Sequence, residues 1–460
     1  MVEDSIILKT DSYKVSHYRQ YPPDATKVFS YYESRGGLYP ETLFFGLQYI
    51  LKRHLVGEVV TSHKIQEAEG LLAQHFGDPG LANLQGWRRI VEHHNGRLPV
   101  EIRAVPEGTV VPNHNVLMTI VNTDRELPWL TNYLETLLCQ VWYPSTVATL
   151  SRVNKRTILR YLEETGDSAG IDFKLHDFGY RGSTSDESAG IGGLAHLVNF
   201  RGTDTIAALV TARHYYGEPM AGHSIPAAEH STITSWGQDR EAAAYRNMLR
   251  QFPSGLVAVV SDSYDIYAAC GDIWGEELRQ EVLDRDGVLV IRPDSGDPPT
   301  VIARMLDILW GRFGGTTNLK GYKVLHSKVR IIQGDGIDPA MINLILGSMK
   351  AGGWSADNIA FGSGGGLLQK MDRDTQQFAF KCSAIEITSG GDAHWRPVMK
   401  RPVTDDGKAS KGGQLKLVRV GEDFQTCQYA ELRHLNNELV PVFRNGELLE
   451  DWTLDEVRER

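Results

Sequence analysis

From about residue 170 onward one pattern recurs along the chain: a short apolar run, a polar or glycine-rich break, then a helical stretch. The runs end in His176-Asp-Phe-Gly-Tyr-Arg-Gly, Ala228-Glu-His-Ser, Val260-Ser-Asp-Ser, Ile291-Arg-Pro-Asp-Ser-Gly, Ile332-Gln-Gly-Asp-Gly and Phe361-Gly-Ser-Gly-Gly-Gly. The last four breaks fall 29 to 41 residues apart, the length of one strand-plus-helix unit. Such spacing predicts an α/β chain with a β/α-barrel-like core. An open doubly wound sheet has similar spacing and stays open at this point. Functional residues of barrels gather where strands end, and each apolar run here stops at charged residues or glycines.

The flanking segments read differently. Before residue 165, helical spacing (Leu43, Leu47, Ile50, Leu51, Leu55; Ile65, Ala68, Leu71, Leu72, Phe76) mixes with the strand-like alternation of Val100, Ile102 and Ala104, and an apolar helix is expected over Leu130 to Thr149. After about residue 390, Lys400 to Gly413 is a Lys-, Asp- and Gly-rich loop. Alternation through Leu415, Leu417, Val418 and Val420, with turns at Gly421 and Asn445-Gly, predicts a small antiparallel sheet. Thr453 and Glu456 have the spacing of a capping box. The expected organisation is an N-terminal α+β region over 1–165, a barrel-like catalytic region over 166–390, and a C-terminal sheet and short helix over 391–460 packing with the N-terminal region into an additional α+β domain. No internal sequence repeat is apparent.

With 460 residues, 41% hydrophobic and 23% charged, a large core can be buried. The 48 basic and 58 acidic side chains leave a net charge of −10, which argues against a general nucleic-acid binder. No apolar run approaches the ~18 residues of a membrane span. The opening Met1-Val-Glu-Asp lacks the basic and apolar regions of a secretion signal, so the expected location is the cytoplasm. The four cysteines are widely spaced and form no metal or disulfide motif.

Gly362-Ser-Gly-Gly-Gly366, with Gly334-Asp-Gly336 one strand earlier, reads as a phosphate cradle, because glycines let backbone N–H groups approach an anion; a pair of tight turns is the plainer alternative. Gly190-Ile-Gly-Gly-Leu-Ala195 fits a dinucleotide pattern but lacks the preceding strand, so helix packing explains it better. Arg181, Arg292 and Arg373, at or just beyond expected strand ends, suit a local anion site on an acidic protein. Asp204, Asp262, Asp294 and Asp335 stand at corresponding points of the units and either serve the site or cap helices. His230 is a candidate nucleophile or proton carrier, against a plain structural role.

These segments, together with Asp11-Ser-Tyr-Lys, Gly202-Thr-Asp-Thr and Pro226-Ala-Ala-Glu-His-Ser-Thr-Ile-Thr, closely resemble the nicotinamide phosphoribosyltransferases, type II enzymes of the nicotinate/nicotinamide phosphoribosyltransferase family. The match runs in order over nearly the whole chain. The resemblance implies reaction of nicotinamide with phosphoribosyl pyrophosphate to give nicotinamide mononucleotide and pyrophosphate in NAD salvage. It also implies Mg²⁺ bound with the pyrophosphate, its ligands left open and no residue of the chain named for it, ATP hydrolysis coupled through a phosphohistidine, and a homodimer with shared sites. The matching positions put Phe178 and, from a second copy, Tyr13 on the pyridine ring, with Asp204 and Arg292 at its carboxamide. Asp294 matches a ribose-binding residue; Gly334, Asp335, Gly364, Gly365 and Arg373 match residues around the 5′-phosphate, with Arg181 beside ring and phosphoribosyl group. His230 matches the phosphorylated histidine, with Asp262 near it, so that His230, Asp262 and Asp294 form the implied catalytic set. Arg35, Lys400 and Lys408, again from the second copy, match a pyrophosphate grip, Lys408 least securely because Asp405 and Asp406 make its loop less basic than the family pattern.

The ring nitrogen of nicotinamide is already a neutral nucleophile, so the chemistry demands alignment and charge stabilisation rather than a general base. The alternatives are a nicotinate phosphoribosyltransferase and a homologue that binds or signals without chemistry.

Overall fold

A computed structural model describes residues 5–404 and 409–460. The chain divides into two compact units, one of 1–149, 215–217 and 371–460, the other of 150–214 and 218–370. The boundaries expected at 165 and 390 shift for definite reasons. The expected helix over Leu130 to Thr149 is broken into short turns, and the continuous helix runs from Trp142 to Thr165, across the division. The strand Phe378–Ser389, which lies inside the expected barrel, pairs instead with Ala25–Ser34, Ser30 facing Cys382.

The first unit is built on a seven-stranded antiparallel sheet in the order Asp392–Pro397, Phe378–Ser389, Ala25–Ser34, Val116–Asn122, Val100–Ala104, Val440–Arg444 and Glu447–Leu448. Three N-terminal strands therefore form the middle of the sheet, with two C-terminal strands on either side. Asn445 (φ 51°) and Gly446 (φ 85°) form the turn that reverses the last hairpin, both in the left-handed region that such two-residue turns use. Leu415–Val420 and Asp423–Gln428 make a separate hairpin, and the Thr453–Glu456 capping box is present.

Within this unit Glu107 is fully buried. Its carboxylate accepts from Gly46 N (3.0 Å), Gln48 N (2.7 Å) and the Tyr216 hydroxyl (2.7 Å). Burial nevertheless pushes its pKa up to about 7. The native state then holds a proton between about pH 4.5 and 7 that the unfolded chain has released, so Glu107 makes stability fall as pH rises through that window, by about 3 kcal/mol in total. Glu107→Gln is expected to flatten this decline. Thermal unfolding of both proteins at pH 5, 6, 7 and 8 checks it: a Tm difference between them that does not change with pH would contradict the assignment.

In the second unit six parallel strands lie side by side. In chain order they are β1 (Leu175–Asp177), β2 (Gly202–Thr203), β3 (Ser254–Val260), β4 (Asp286–Arg292), β5 (Val329–Gln333) and β6 (Ile359–Ser363), with spatial order β2-β1-β6-β5-β4-β3. The two edges are joined by an extended segment around residues 223–228: His223 bridges to Gly202 of β2 and Ala227 to Ala258 of β3, both in parallel. The sheet thus closes on itself. Val257, Val259, Leu289, Ile291, Ile331, Ile359 and Phe361 face the helices outside, while Ala258, Val290 and Ile332 pack inside the ring against Phe178, Ile225 and Ala360. Burial on both faces is why these strands read as continuous apolar runs.

Helix α1 (Asp186–Leu197) starts at a Ser185 capping box. A Cβ at Gly190 would come within 2.5 Å of Thr211 Oγ1, and one at Gly193 within 2.8 Å of the Ala208 side chain, both on α2 (Ile206–Tyr216). The dinucleotide-like glycines are thus a helix-packing surface. The four cysteines are free thiols, and no helix among the described residues is long and apolar enough to cross a membrane.

Candidate active site

The loops that leave the C-terminal ends of the parallel strands repeat a local plan. Asp265, Asp297 and Asp338 each cap the helix that follows, accepting from Tyr267 N and Ala268 N, from Thr300 N, and from Met341 N respectively. Each stands three residues after one of the carboxylates singled out from the sequence, Asp262, Asp294 and Asp335. Helix capping is therefore done by the second aspartate of each D-x-x-D pair. The first is left for other work.

A polar cavity of about 450 Å³ opens at these strand ends. It is lined by Phe178, Arg181, Asp204, Arg292, Asp294, Gly334, Asp335, Gly364 and Gly365, with Tyr180, Gly182 and Thr205 beside them. Nine of the residues named from the sequence for substrate are thus brought together. Phe178 enters the site because its amide donates to Ser363 O (2.9 Å), continuing the β1–β6 pairing beyond the strand. Its ring lies on two glycines: a Cβ at Gly362 would stand 1.9 Å from Phe178 Cε2, and one at Gly334 would stand 3.3 Å from it. Gly362, expected to belong to a phosphate cradle, is instead the seat of the aromatic ring.

Asp177 Oδ1 accepts from Gly179 N (2.7 Å), and its backbone carbonyl accepts from Asp204 N (2.9 Å), so one residue holds both the turn after Phe178 and the turn at Asp204. Burial, with a smaller contribution from the nearby Asp204 charge, pushes the Asp177 carboxyl up to about 6.

A second set of contacts runs beside the cavity. His230, at the start of α3 (His230–Thr234), has Nε2 3.0 Å from Asp262 Oδ1 and Nδ1 3.9 Å from Asp294 Oδ2. Asp262 Oδ2 accepts from Asp294 N (3.1 Å) and from Ser295 Oγ (2.6 Å). Arg292 grips Asp294 through Nε (3.2 Å) and Nη2 (2.9 Å). Asp262 is buried and satisfied on both oxygens, so it is a fixed acceptor that orients the imidazole. With Nε2 carrying the hydrogen toward Asp262, the Nδ1 lone pair is left available.

A family model described as the nicotinate phosphoribosyltransferase family matches residues 173–447, and one described as the nicotinamide phosphoribosyltransferase N-terminal domain matches residues 5–102. The chain belongs to the nicotinate phosphoribosyltransferase family. A protein of Xanthomonas campestris named nicotinamide phosphoribosyltransferase is 53% identical, over 99% of this chain and 97% of that protein. One of Acinetobacter baylyi with the same name is 34% identical, over 98% and 95%. Among solved structures, a nicotinate-nucleotide pyrophosphorylase of Pyrococcus furiosus has a TM-score of 0.61 at 16% identity, over 99% of this chain and 95% of that one. Human nicotinic acid phosphoribosyltransferase has a TM-score of 0.55 at 18% identity, over 98% and 92%. At that identity the two structures speak for the fold. The chain is a phosphoribosyltransferase, a pentosyltransferase of NAD biosynthesis.

The remaining residues named from the sequence lie in the first unit of this phosphoribosyltransferase. Arg373 is not at a barrel strand end, as expected, but opens a single 3₁₀ turn after the barrel, half-exposed and paired with Asp374 (2.9 Å). Tyr13 is 60% exposed on a 3₁₀ helix tied down by Lys14 to Glu135 (2.6 Å). Arg35 Nη2 donates to Ala409 O (2.8 Å), and Lys400 and Ser410 exchange hydrogen bonds across their loop, so Arg35 and the Lys400 loop share one end of the unit. Lys408 lies outside the described residues. Sequence reasoning missed Asp177, Ser224 and Ser295. Asp177 and Ser295 sit inside quoted motifs beside the residues chosen, while Ser224 precedes its motif and carries no signal of its own.

Proposed function

We propose that this phosphoribosyltransferase joins nicotinamide to the phosphoribosyl group of phosphoribosyl pyrophosphate, with ATP hydrolysis coupled through a phosphorylated His230. The observation that carries the choice of substrate is the pairing of Asp204 with Arg292 in one cavity beside the Phe178 ring. A primary amide needs an acceptor for its NH₂ and a donor for its carbonyl, and this pair supplies one of each. Nicotinate would need two donors and would meet Asp204 with like charge. The names of the two bacterial relatives agree with this reading.

Phe178 stacks on the pyridine ring and so fixes its nitrogen along the line of attack at C1 of the ribose. Asp294 binds the ribose and places negative charge near the carbon as positive charge develops there. The Gly364 and Gly365 backbone and Asp335 surround the 5′-phosphate group and Arg181 neutralises the phosphoribosyl moiety, while Arg35, Lys400, Lys408 and Arg373 are proposed for the phosphates. Among the described residues no three His, Cys, Asp or Glu side chains converge as a metal cage. Mg²⁺ is proposed to be carried by pyrophosphate oxygens and water, and the hard oxygens of Asp294 and Asp335 in the same cavity suit such an ion. Bound there, it would neutralise the leaving group.

The substrate test is kcat/KM for nicotinamide and nicotinate in the wild type and in Asp204→Ser. The wild type is expected to prefer nicotinamide, and the variant to reduce the ratio on the order of ten- to a hundredfold, the worth of a charge-assisted hydrogen bond. A wild type that prefers nicotinate promotes the nicotinate reading. An unchanged ratio in the variant removes Asp204 from the choice.

Tyr13 presents its ring outward from an anchored helix, which supports a homodimer in which Tyr13 and Arg35 complete the site of the second copy. Mixing inactive Tyr13→Ala with inactive Arg292→Ala protein is expected to restore activity, because one site of each heterodimer is then intact. Subunit exchange without recovery would assign each site to one chain.

A further inference from the structure

The substrate-selecting carboxylate has a partner that no motif announces. Ser224 lies on the extended segment that closes the barrel, between β2 and β3. That segment is pinned from both sides: His223 N donates to Arg201 O (2.7 Å), Thr203 N to His223 O (3.0 Å), and Ala258 N to Pro226 O (2.9 Å). Thus fixed, the Ser224 hydroxyl donates to Asp204 Oδ1. Ser224 lines a second cavity of about 490 Å³ inside the barrel, whereas Asp204 lines the polar cavity at the strand ends, so the pair sits where the two spaces approach. Two further ionisable groups face Asp204: His176, kept toward its neutral form chiefly by burial, and Asp177, whose like charge opposes it.

We propose that Ser224 is a specificity-positioning residue, which occupies one oxygen of Asp204 and leaves Oδ2 as the single acceptor for a substrate amide NH₂. This rests on the amide reading of Asp204 given above. A carboxylate free to rotate about its last torsion presents either oxygen and loses part of the directed hydrogen bond; a hydroxyl that only donates to it removes that freedom. The same bond opposes an acid substrate. Asp204 accepts from Ser224 in its ionised form, and an ionised Asp204 repels nicotinate, so Ser224 strengthens rejection as well as acceptance.

The test measures kcat/KM for nicotinamide and for nicotinate in the wild type, Ser224→Ala, Ser224→Thr, Asp204→Ser and the Ser224→Ala/Asp204→Ser double variant. Ser224→Ala is expected to lower the nicotinamide-to-nicotinate ratio about tenfold, chiefly through KM for nicotinamide, with kcat within about twofold of the wild type. Ser224→Thr keeps the hydroxyl and is expected to restore the ratio. In the double variant the loss should be no greater than in Asp204→Ser alone, since the serine acts only through the aspartate. General damage to the barrel would depress both substrates together and leave the ratio unmoved. If the wild type prefers nicotinate, the amide reading falls and this proposal with it. If Asp204→Ser changes the ratio but Ser224→Ala does not, or if the two losses multiply, the positioning role of Ser224 alone is overturned.

Discussion

Gly362→Ala is expected to disable pyridine binding while leaving the protein folded. The added Cβ would stand 1.9 Å from Phe178 Cε2 and 2.2 Å from Cδ2, far inside contact distance, so the ring must leave its seat. The strand itself does not object, because Gly362 is not among the residues with positive φ and its neighbours already form regular parallel pairs. Overpacking and loss of an aromatic platform each cost about 1 to 3 kcal/mol, which puts the fall in kcat/KM for nicotinamide on the order of a hundredfold. The comparison that isolates the cause is the same substitution in a Phe178→Ala background. There the ring is already gone, and Gly362→Ala should add little. Near-normal activity of the single variant, or equal losses in both backgrounds, would show that the glycine serves something other than the ring.

That glycine illustrates what sequence could and could not convey. A run of glycines after an apolar strand declares that backbone is approached closely, yet it does not say by what. Here the approaching group is the side chain of Phe178, just beyond β1 and 184 residues earlier, and only the pairing of β1 with β6 brings it there. The strands β3 to β6 were legible because parallel strands buried on both faces need unbroken apolar runs. The closing segment around 223–228 was not. It carries Pro226 and meets its neighbours through two isolated bridges, so it has none of the periodicity of a strand. Likewise Phe378–Ser389 is as apolar as a barrel strand, and its antiparallel pairing with residues more than 340 positions away has no local signature.

The D-x-x-D pairs are the opposite case. They were present at three strand ends, Asp262 with Asp265, Asp294 with Asp297 and Asp335 with Asp338, although no internal repeat was apparent from the sequence. The physical content of the repeat is a division of labour. One carboxylate satisfies the free N–H groups of the coming helix, which lets the other face the site without costing the helix its cap. For Asp262, Asp294 and Asp335 the helix-capping alternative was therefore open to exclusion from spacing alone.

His230→Ala is expected to abolish ATP hydrolysis and to weaken mononucleotide formation strongly. In the proposed step the Nδ1 lone pair attacks the terminal phosphorus of ATP, an N–P bond forms as the bond to the bridging oxygen breaks, and ADP leaves with the electron pair. No proton need move, because the ring hydrogen already resides on Nε2, held 3.0 Å from Asp262 Oδ1. The phosphoryl group would arrive beside Asp294, 3.9 Å from Nδ1, where repulsion is offset by the Arg292 guanidinium bound to that carboxylate at 2.9 Å. Phosphorylation thus competes for the same arginine that is proposed to hold the amide carbonyl, which ties the state of His230 to the substrate cavity through two named contacts. Incubation with ATP labelled at the terminal phosphate should give acid-labile label on the wild type and none on His230→Ala. Asp262→Asn should reduce labelling on the order of a hundredfold or more, since an amide can present N–H to the ring and favour the wrong tautomer. Normal ATP hydrolysis by His230→Ala would assign the acceptor elsewhere, and full labelling of Asp262→Asn would remove Asp262 from the orientation of the ring.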